Sequence, residues 1–373
     1  MQLTRRDTLL AMAAIPALGA GPRPVAAFHY AAIFSPREVE WYTRFEILVT
    51  GGILSREQTQ ALRRNGVKLV AYEWSSGYYA GDPVSAPLEW QRMVDRHAAD
   101  WAITAKPVSG GAAENGKPAQ WYDFASDELN EARARHLATR LADSGYDGYF
   151  FDTPGFEQLP PSAREAFHRK HPGADYNQRQ GRFFAAVRKA IGAPRILFLN
   201  QGFRQAEHFL PHADLDLSES YCTYLDPQHR TGFRPWHDAA KPWESVRTPI
   251  RELIEPALAR FPRVRMVHAN YSGGEPALAG RAHRYGWACA RLFGHDAYLI
   301  APGQAEAERD AIYFTDPGKP LSAAKEEPGG SVAWRRFQNG VVAVNGGAAS
   351  ARIAELGLTL PEGYQGYFFP SRS

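Results

Sequence analysis

Tyr146-Asp147-Gly148-Tyr149-Phe150-Phe151-Asp152 is the stretch on which the reading of this chain turns. A short apolar run bounded by Gly145 on one side and Thr153-Pro154-Gly155 on the other reads as a buried strand. In front of it lies a helical pattern from Asp127 to Asp143, opened by Ser126 as N-cap and stopped by Gly145. Behind it, a helical pattern from Asn177 to Ile191 leads to a second apolar run, Arg195-Ile196-Leu197-Phe198-Leu199-Asn200.

The same alternation extends in both directions. Towards the N-terminus, Phe28 to Ile33, Phe45 to Val49 and Val67 to Tyr72 read as strands one to three. Ser55 caps the helix before the third, Gln58 completes a capping box and Asn65-Gly66 closes it. Towards the C-terminus, Ala213 to Glu219, Val264 to Asn270 and Ala297 to Ile300 read as strands six to eight, with a helix from Gly280 to Phe293 before the last. Eight strands, mostly followed by helices, give an α/β fold of the (β/α)₈ barrel type, and the span 28–304 suits the roughly 250 residues of that fold. Two features fit it poorly. The link between strands one and two is short, and Asp214 and Asp216 interrupt strand six. A doubly wound open sheet would instead call for a glycine-rich phosphate turn after an early strand, and the chain has none. Residues 75–122, rich in Gly, Pro and Trp, read as an irregular functional loop. Beyond the barrel, Ser331 to Phe337 and Val341 to Val344 flank Gln338-Asn339-Gly340, a hairpin signal. Residues 305–373 are therefore expected to form a small antiparallel β domain.

Residues 1–27 read as an export leader. Arg5-Arg6 precede an apolar stretch, Leu9 to Ala20, too short to span a bilayer stably, and small residues follow at Val25-Ala26-Ala27. The twin arginine implies export to the periplasm or beyond, with no membrane contact once the leader is removed. Cys222 and Cys289 read as small buried hydrophobes, although one bridge is open to them in an oxidising compartment. A net charge of +3, with Lys and Arg scattered, argues against a nucleic-acid partner.

Catalytic groups on such a barrel stand at the carboxyl ends of its strands. Here those ends are polar: Glu73 after strand three, Asp152 at four, Asn200 at five, Glu219 at six, Asn270 and Tyr271 at seven. Two carboxyl groups flanking a scissile bond are what glycoside hydrolysis requires. Strands four and six are next-but-one neighbours, so Asp152 and Glu219 can bracket a sugar. Asp147, at the opposite end of its strand, is expected to bond backbone instead. Glu73, Asn200 and Asn270 are candidates for contacting substrate, and Tyr72, Trp74, Tyr78, Tyr221 and Tyr271 for stacking on it.

The run Asp147-Gly148-Tyr149-Phe150-Phe151-Asp152-Thr153 resembles the Asp-Gly-(apolar)₃-Asp-Thr strand of the endo-α-1,4-polygalactosaminidase clan and of a related glycosyl hydrolase family. Asp123-Phe124-Ala125-Ser126, Tyr72-Glu73 and the tail run Trp334 to Val341 with Asn345 fit the same pattern. Glu73-Trp74 depart from it, since members often carry Gly soon after the Tyr of strand three. The resemblance implies a barrel hydrolase with Asp152 and Glu219 as its catalytic pair and leans towards retention. The shorter side chain of Asp152 suits a fixed attacking position, and bulky neighbours of Glu219 such as Tyr221 suit a proton donor, so Asp152 is expected as nucleophile and Glu219 as acid/base. The resemblance does not carry over a substrate beyond a polysaccharide, oligosaccharide or glycoconjugate.

Other chemistries find less support. His208 and His212 are four apart with Asp214 beyond, but no Glu follows as in His-Glu-x-x-His and Pro211 interrupts the helix. Tyr271-Ser272-Gly273-Gly274 lacks the leading Gly of a nucleophile elbow, and there is no phosphate loop. No metal and no cofactor is therefore expected. The alternatives are a carbohydrate-binding pseudo-enzyme, which needs aromatics and amides but not two facing acids, and a metal-dependent barrel hydrolase, which needs clustered His.

Overall fold

The computed structural model describes residues 23–29, 35–51, 54–110, 117–219, 224–225, 233–234, 242–271, 276–300 and 311–371. Eight parallel strands close into a barrel: β1 (Ala26–His29), β2 (Ile47–Thr50), β3 (Lys68–Trp74), β4 (Gly148–Asp152), β5 (Ile196–Asn200), β6 (Leu215–Ser218), β7 (Arg265–Tyr271) and β8 (Asp296–Ile300). Each pairs with its neighbour in sequence, and β1 closes the ring on β8 through Ala27 with Leu299 and Phe28 with Ile300.

Every strand of the sequence reading has a counterpart, with different bounds, and residues 30–33 of the expected first strand lie outside the described residues. The first opens at Ala26 rather than Phe28, because Val25, Ala26 and Ala27 are small enough to be buried in the barrel wall, where Ala26 pairs with Ile47. The two terminal residues of the segment assigned to the leader thus lie in a strand. Residues 1–22, with the twin arginine, lie outside the described residues.

The short first connection still holds a helix, α1 (Pro36–Tyr42), started by a Ser35/Glu38 capping box. α2 (Arg56–Arg64) starts with the Ser55/Gln58 box, Gln58 N donating to Ser55 Oγ at 3.2 Å and Ser55 N to Gln58 Oε1 at 2.8 Å.

Residues 75–110 and 117–122 are more ordered than their composition implies, and residues 111–116 lie outside the described residues. α3 (Leu88–Arg96) forms there, and Gly77–Tyr79 pairs antiparallel with Ala119–Trp121. The helix was hidden from the sequence because Pro87 at its start offers no side-chain cap. It is held by packing, with Trp90, Trp101, Trp121 and Tyr122 all buried in one cluster. The indole Nε1 of Trp90 donates to Tyr122 Oη at 2.8 Å.

α4 (Asp127–Ser144) carries the Ser126 cap and ends in left-handed Gly145 at φ 68°. α5 (Tyr176–Ile191) is capped by Asp175. α6 (Pro276–Phe293) precedes β8 and holds the buried Cys289; Cys222 lies outside the described residues.

The barrel interior is filled by alternate residues of its strands: Ala26, Phe28, Ile47, Val49, Val70, Phe150, Ile196, Phe198, Leu215, Leu217, Val267 and Ala269. Phe28 meets Phe150 edge-on at 4.6 Å between centroids, and Phe150 meets Phe198 at 5.0 Å. The other parity, including Tyr149, Phe151, Leu197 and Leu199, packs against the helices.

The small C-terminal sheet orders Lys325–Glu326, β9 (Val332–Phe337), β10 (Gly340–Asn345) and β11 (Gln365–Pro370), all antiparallel. Phe337 pairs with Gly340, so the hairpin turn is Gln338-Asn339 and Gly340 already belongs to the strand. The sheet lies directly on α6. A Cβ on Gly366 would stand 2.0 Å from the Arg284 carbonyl oxygen, so β11 can approach the helix only with glycine there.

Candidate active site

In a strand, residues two apart share a face. The inward parity that places Val70, Phe150, Phe198 and Leu217 in the core carries Tyr72, Asp152, Asn200 and Glu219 to the rim at the carboxyl ends of β3 to β6. These four meet there. Asn200, buried at the end of β5, donates through its single Nδ2 to Asp152 Oδ1 at 2.7 Å and to Glu219 Oε2 at 2.5 Å. Tyr72 Oη donates to Asp152 Oδ2 at 2.5 Å, and Thr153 N to Asp152 Oδ1 at 2.8 Å. One amide nitrogen thus spans both carboxyl groups. The amide's orientation follows from its neighbours, because turning it over would set a carbonyl oxygen against two acceptors.

The backbone is bent immediately after both inner residues. Thr153 follows Asp152 at φ 48° and Gln201 follows Asn200 at φ 58°. Non-glycine residues rarely adopt this left-handed region, and they keep it only where the surroundings hold them. Around Thr153 two of the holding groups come from α5 and one from the segment after β3. Gln180 Oε1 accepts from Gly155 N at 2.7 Å and Asn177 Oδ1 from Phe156 N at 2.8 Å. Ser76 Oγ donates to the Thr153 carbonyl at 2.8 Å.

Glu73 has the opposite parity and does not join the site. It is buried on the helix side of β3 and paired with Arg133 at 3.3 Å and Arg140 at 3.0 Å, both from α4. Its expected contact with substrate is replaced by a structural one, since a carboxylate on the outward face of a covered strand must find cations in the helix layer. Arg133 is itself buried. It also donates to the Trp74 carbonyl at 2.7 Å and to the Ser75 carbonyl, and lies over the Tyr122 ring at 4.0 Å. It thereby fixes the end of β3 that carries Tyr72.

Tyr72 orients Asp152 through its hydroxyl. Trp74 is buried and stacked on Tyr79, 4.8 Å between centroids, while Tyr78 is buried with its hydroxyl on Asp95 at 3.1 Å. Asn270 and Tyr271 end β7, paired with Leu299 and Ile300. Tyr221 lies outside the described residues.

A cavity of about 600 Å³ opens at the rim, lined by Asp152, Tyr72, Trp74, Tyr79 and Thr50 and continuing to Arg140 on the flank. It reaches the Asp152 side of the pair; the chain beyond Glu219, residues 220–223, is outside the described residues.

The aspartates that interrupt the strands have distinct uses. Asp147 Oδ2 accepts from Leu69 N at 2.9 Å, the backbone role expected of it. Asp214 does the same for Leu197 N at 2.8 Å while pairing with Arg188. Asp216 is fully buried and accepts from Gly202 N at 2.8 Å, Phe203 N at 2.6 Å and Leu217 N at 3.1 Å. Sequence reasoning missed it, together with Arg133 and Arg140. The available signals were an acid three residues before Glu219 in an apolar strand, and two arginines seven apart on one helix. His208 pairs with Asp175 at 3.5 Å, and among the described residues no group of three His, Cys, Asp or Glu could hold a metal ion.

No family model matches the chain, and no curated protein matches it. Solved structures do resemble it. The glycoside hydrolase domain of PelA from Pseudomonas aeruginosa is 20% identical over 74% of this chain and 94% of its own, with a TM-score of 0.52. The cyclic α-maltosyl-(1→6)-maltose hydrolase from Arthrobacter globiformis is 12% identical over 93% and 99%, with a TM-score of 0.51. A maltogenic α-amylase, AmyB from Thermotoga neapolitana, is 9% identical over 88% and 87%, with a TM-score of 0.52. These likenesses establish a shared fold.

Burial pushes the Asp216 carboxyl from 3.8 up to about 7, its three amide donors offsetting only part of the cost. Its folded value is therefore raised above its unfolded one. The stability it lends is full below about pH 4 and is lost as pH rises through about 7. Asp216→Asn should abolish that dependence. Urea unfolding at pH 4.5 and 7.5 checks it: the stability of wild type relative to the variant should fall as pH rises. A difference unchanged between the two pH values would contradict the assignment.

Proposed function

We propose that the chain is a retaining glycoside hydrolase acting on a poly- or oligosaccharide, with Asp152 as nucleophile and Glu219 as acid/base. The observation that carries this reading is the Asn200 amide held between the two carboxyl groups. Asp152 accepts hydrogen bonds on both oxygens, which fixes its plane at the cavity wall as an attacking group requires. Glu219, with the longer side chain, is only half-buried and can reach the leaving oxygen.

In the first step Asp152 attacks the anomeric carbon while Glu219 gives its proton to the departing oxygen, leaving a glycosyl ester on Asp152. In the second, Glu219 takes a proton from water. That water's oxygen bonds to the anomeric carbon, and the ester breaks to restore Asp152. Two inversions yield net retention.

Two further facts support the reading. The strand Asp147 to Thr153 resembles that of the endo-α-1,4-polygalactosaminidase clan, and we propose that the chain is related to it. The PelA domain is a glycoside hydrolase domain, and the Arthrobacter globiformis and Thermotoga neapolitana proteins named above are a maltosyl-maltose hydrolase and an α-amylase. We also propose that the chain is exported through the Arg5-Arg6 signal.

Asp152→Asn and Glu219→Gln should each lower kcat by about 10³-fold or more on whichever member of a polysaccharide panel wild type cleaves, with unfolding transitions unchanged. Near-wild-type turnover in either variant removes that residue from the mechanism. A wild type that binds but cleaves nothing would favour the pseudo-enzyme.

Proton NMR of the first-formed sugar should show the substrate's own anomeric configuration. An inverted anomer would require water between the two groups and overturn the nucleophile assignment, leaving the hydrolase.

Replacing Arg5 and Arg6 together by Lys should trap the precursor inside the cell, seen by fractionation. Normal export of the double variant would reject the twin-arginine reading.

A further inference from the structure

Asp216 is a buried acid that the chemistry above does not use, and unlike the buried Glu73 and Asp123 it has no ion-pair partner among the described residues. It sits on the outward face of β6, paired across to Leu199 and Met266, with no measurable exposure. No cation faces it among the described residues; its partners are three backbone amides. An amide or hydroxyl could serve one such donor without the cost of burying an ionisable group. The identity of the donors explains the choice.

Gly202 and Phe203 are the second and third residues after Asn200, and Leu217 lies two before Glu219. Between Asn200 and Gly202 stands Gln201 in the left-handed region, and its own N–H donates to the Leu217 carbonyl at 2.7 Å. The turn leaving β5 is therefore tied to β6 by three bonds, two of them ending on Asp216. The fit is close, because a Cβ on Gly202 would stand 3.2 Å from Asp216 Oδ1 and 3.0 Å from Leu199 Cδ1. Both carboxylate oxygens are needed, one for each amide of the turn, and a strained residue holds its conformation only when such contacts over-determine it.

We propose that Asp216 is a positioning residue of the reaction: it locks the turn after Asn200 onto the strand that delivers Glu219, and so keeps the Asn200 amide between the two carboxyl groups. The proposal rests on Asp152 and Glu219 being the working pair. Asp216 touches neither substrate nor reacting atoms. It acts through Asn200, whose donors at 2.5 and 2.7 Å leave little tolerance for movement of the β5 end.

The test compares Asp216→Ala and Asp216→Asn with Asp214→Asn, which breaks the Arg188 pair just before the same strand begins. kcat and KM are measured on the substrate that wild type cleaves, and amide exchange is followed at Gly202 and Phe203. Asp216→Ala should lower kcat about 10–100-fold with KM little changed, the scale expected of a misplacement near 1 Å. Asp216→Asn, keeping one carbonyl, should lose less. Both amides should exchange at least about tenfold faster in the Ala variant. Asp214→Asn should lower the melting temperature and keep wild-type kcat.

Wild-type kcat in folded Asp216→Ala, protected amides there, or an equal kcat loss in Asp214→Asn would each overturn the proposal. If the Ala variant does not fold, the Asn variant carries the same criteria. Should Asp152→Asn abolish activity while Asp216 variants keep it, only this proposal fails. Should wild type cleave nothing, the functional reading fails and takes this one with it.

Discussion

A closed barrel of eight strands has room inside for side chains and none for water, and each strand can give the interior only every second residue. Everything else in this chain is arranged around that alternation. Phe28, Phe150 and Phe198 meet edge-on in the middle of the barrel and exclude solvent from below. Above them the same parity runs out into polar residues, Asp152, Asn200 and Glu219 where β4 to β6 end and Tyr72 two residues before the end of β3. Polar groups there have an apolar floor beneath and an open rim above, so they can satisfy one another or a ligand. They do the first already, through one tyrosine hydroxyl and one amide nitrogen.

The alternation also explains which parts of the site were legible from the sequence. The strands themselves were, since an apolar run stopped by Gly, Pro or a capping residue is a local signal. Asp152, Asn200 and Glu219 followed as polar residues closing such runs. Glu73 met the same criterion and belongs elsewhere: it follows Tyr72 by one residue, and one residue is the difference between the two faces of a strand. The count from Val70, inward, to Tyr72, inward, would have turned Glu73 outward. Counting it required knowing that Val70 is inside, and β3 is apolar on both faces from Leu69 to Ala71. The two arginines that receive Glu73 come from α4, sixty and sixty-seven residues on.

The region 75–122 was illegible for a different reason. Its order comes from Trp90, Trp101, Trp121 and Tyr122 packing on one another across long separations, not from caps or periodicity. The hairpin at 338–340 was seen but set one residue late, because Asn-Gly favours the turn centre while the register pairs Gly340 with Phe337.

The site's polar groups are arranged at two depths, and the deeper one explains the cost carried by the outer face. Asp147, Asp214 and Asp216 all stand where a strand pattern asks for an apolar side chain. Each accepts backbone N–H groups from another part of the barrel: Leu69, Leu197, and the pair Gly202 and Phe203. A backbone ladder between parallel strands fixes their spacing but resists sliding weakly where the strands are only four or five residues long. A carboxylate bonded across two strands resists it at the ends. At the amino ends, Asp147 and Asp214 do so with arginines within ion-pair reach, so their burial is partial and offset. Asp216, the second residue of β6, meets only backbone amides among the described residues and is fully buried. A chain that needed stability alone would put an apolar residue there, as it does at Leu215 and Leu217. An acid in that position makes sense where the geometry of the strand end, rather than its stability, is what must be kept.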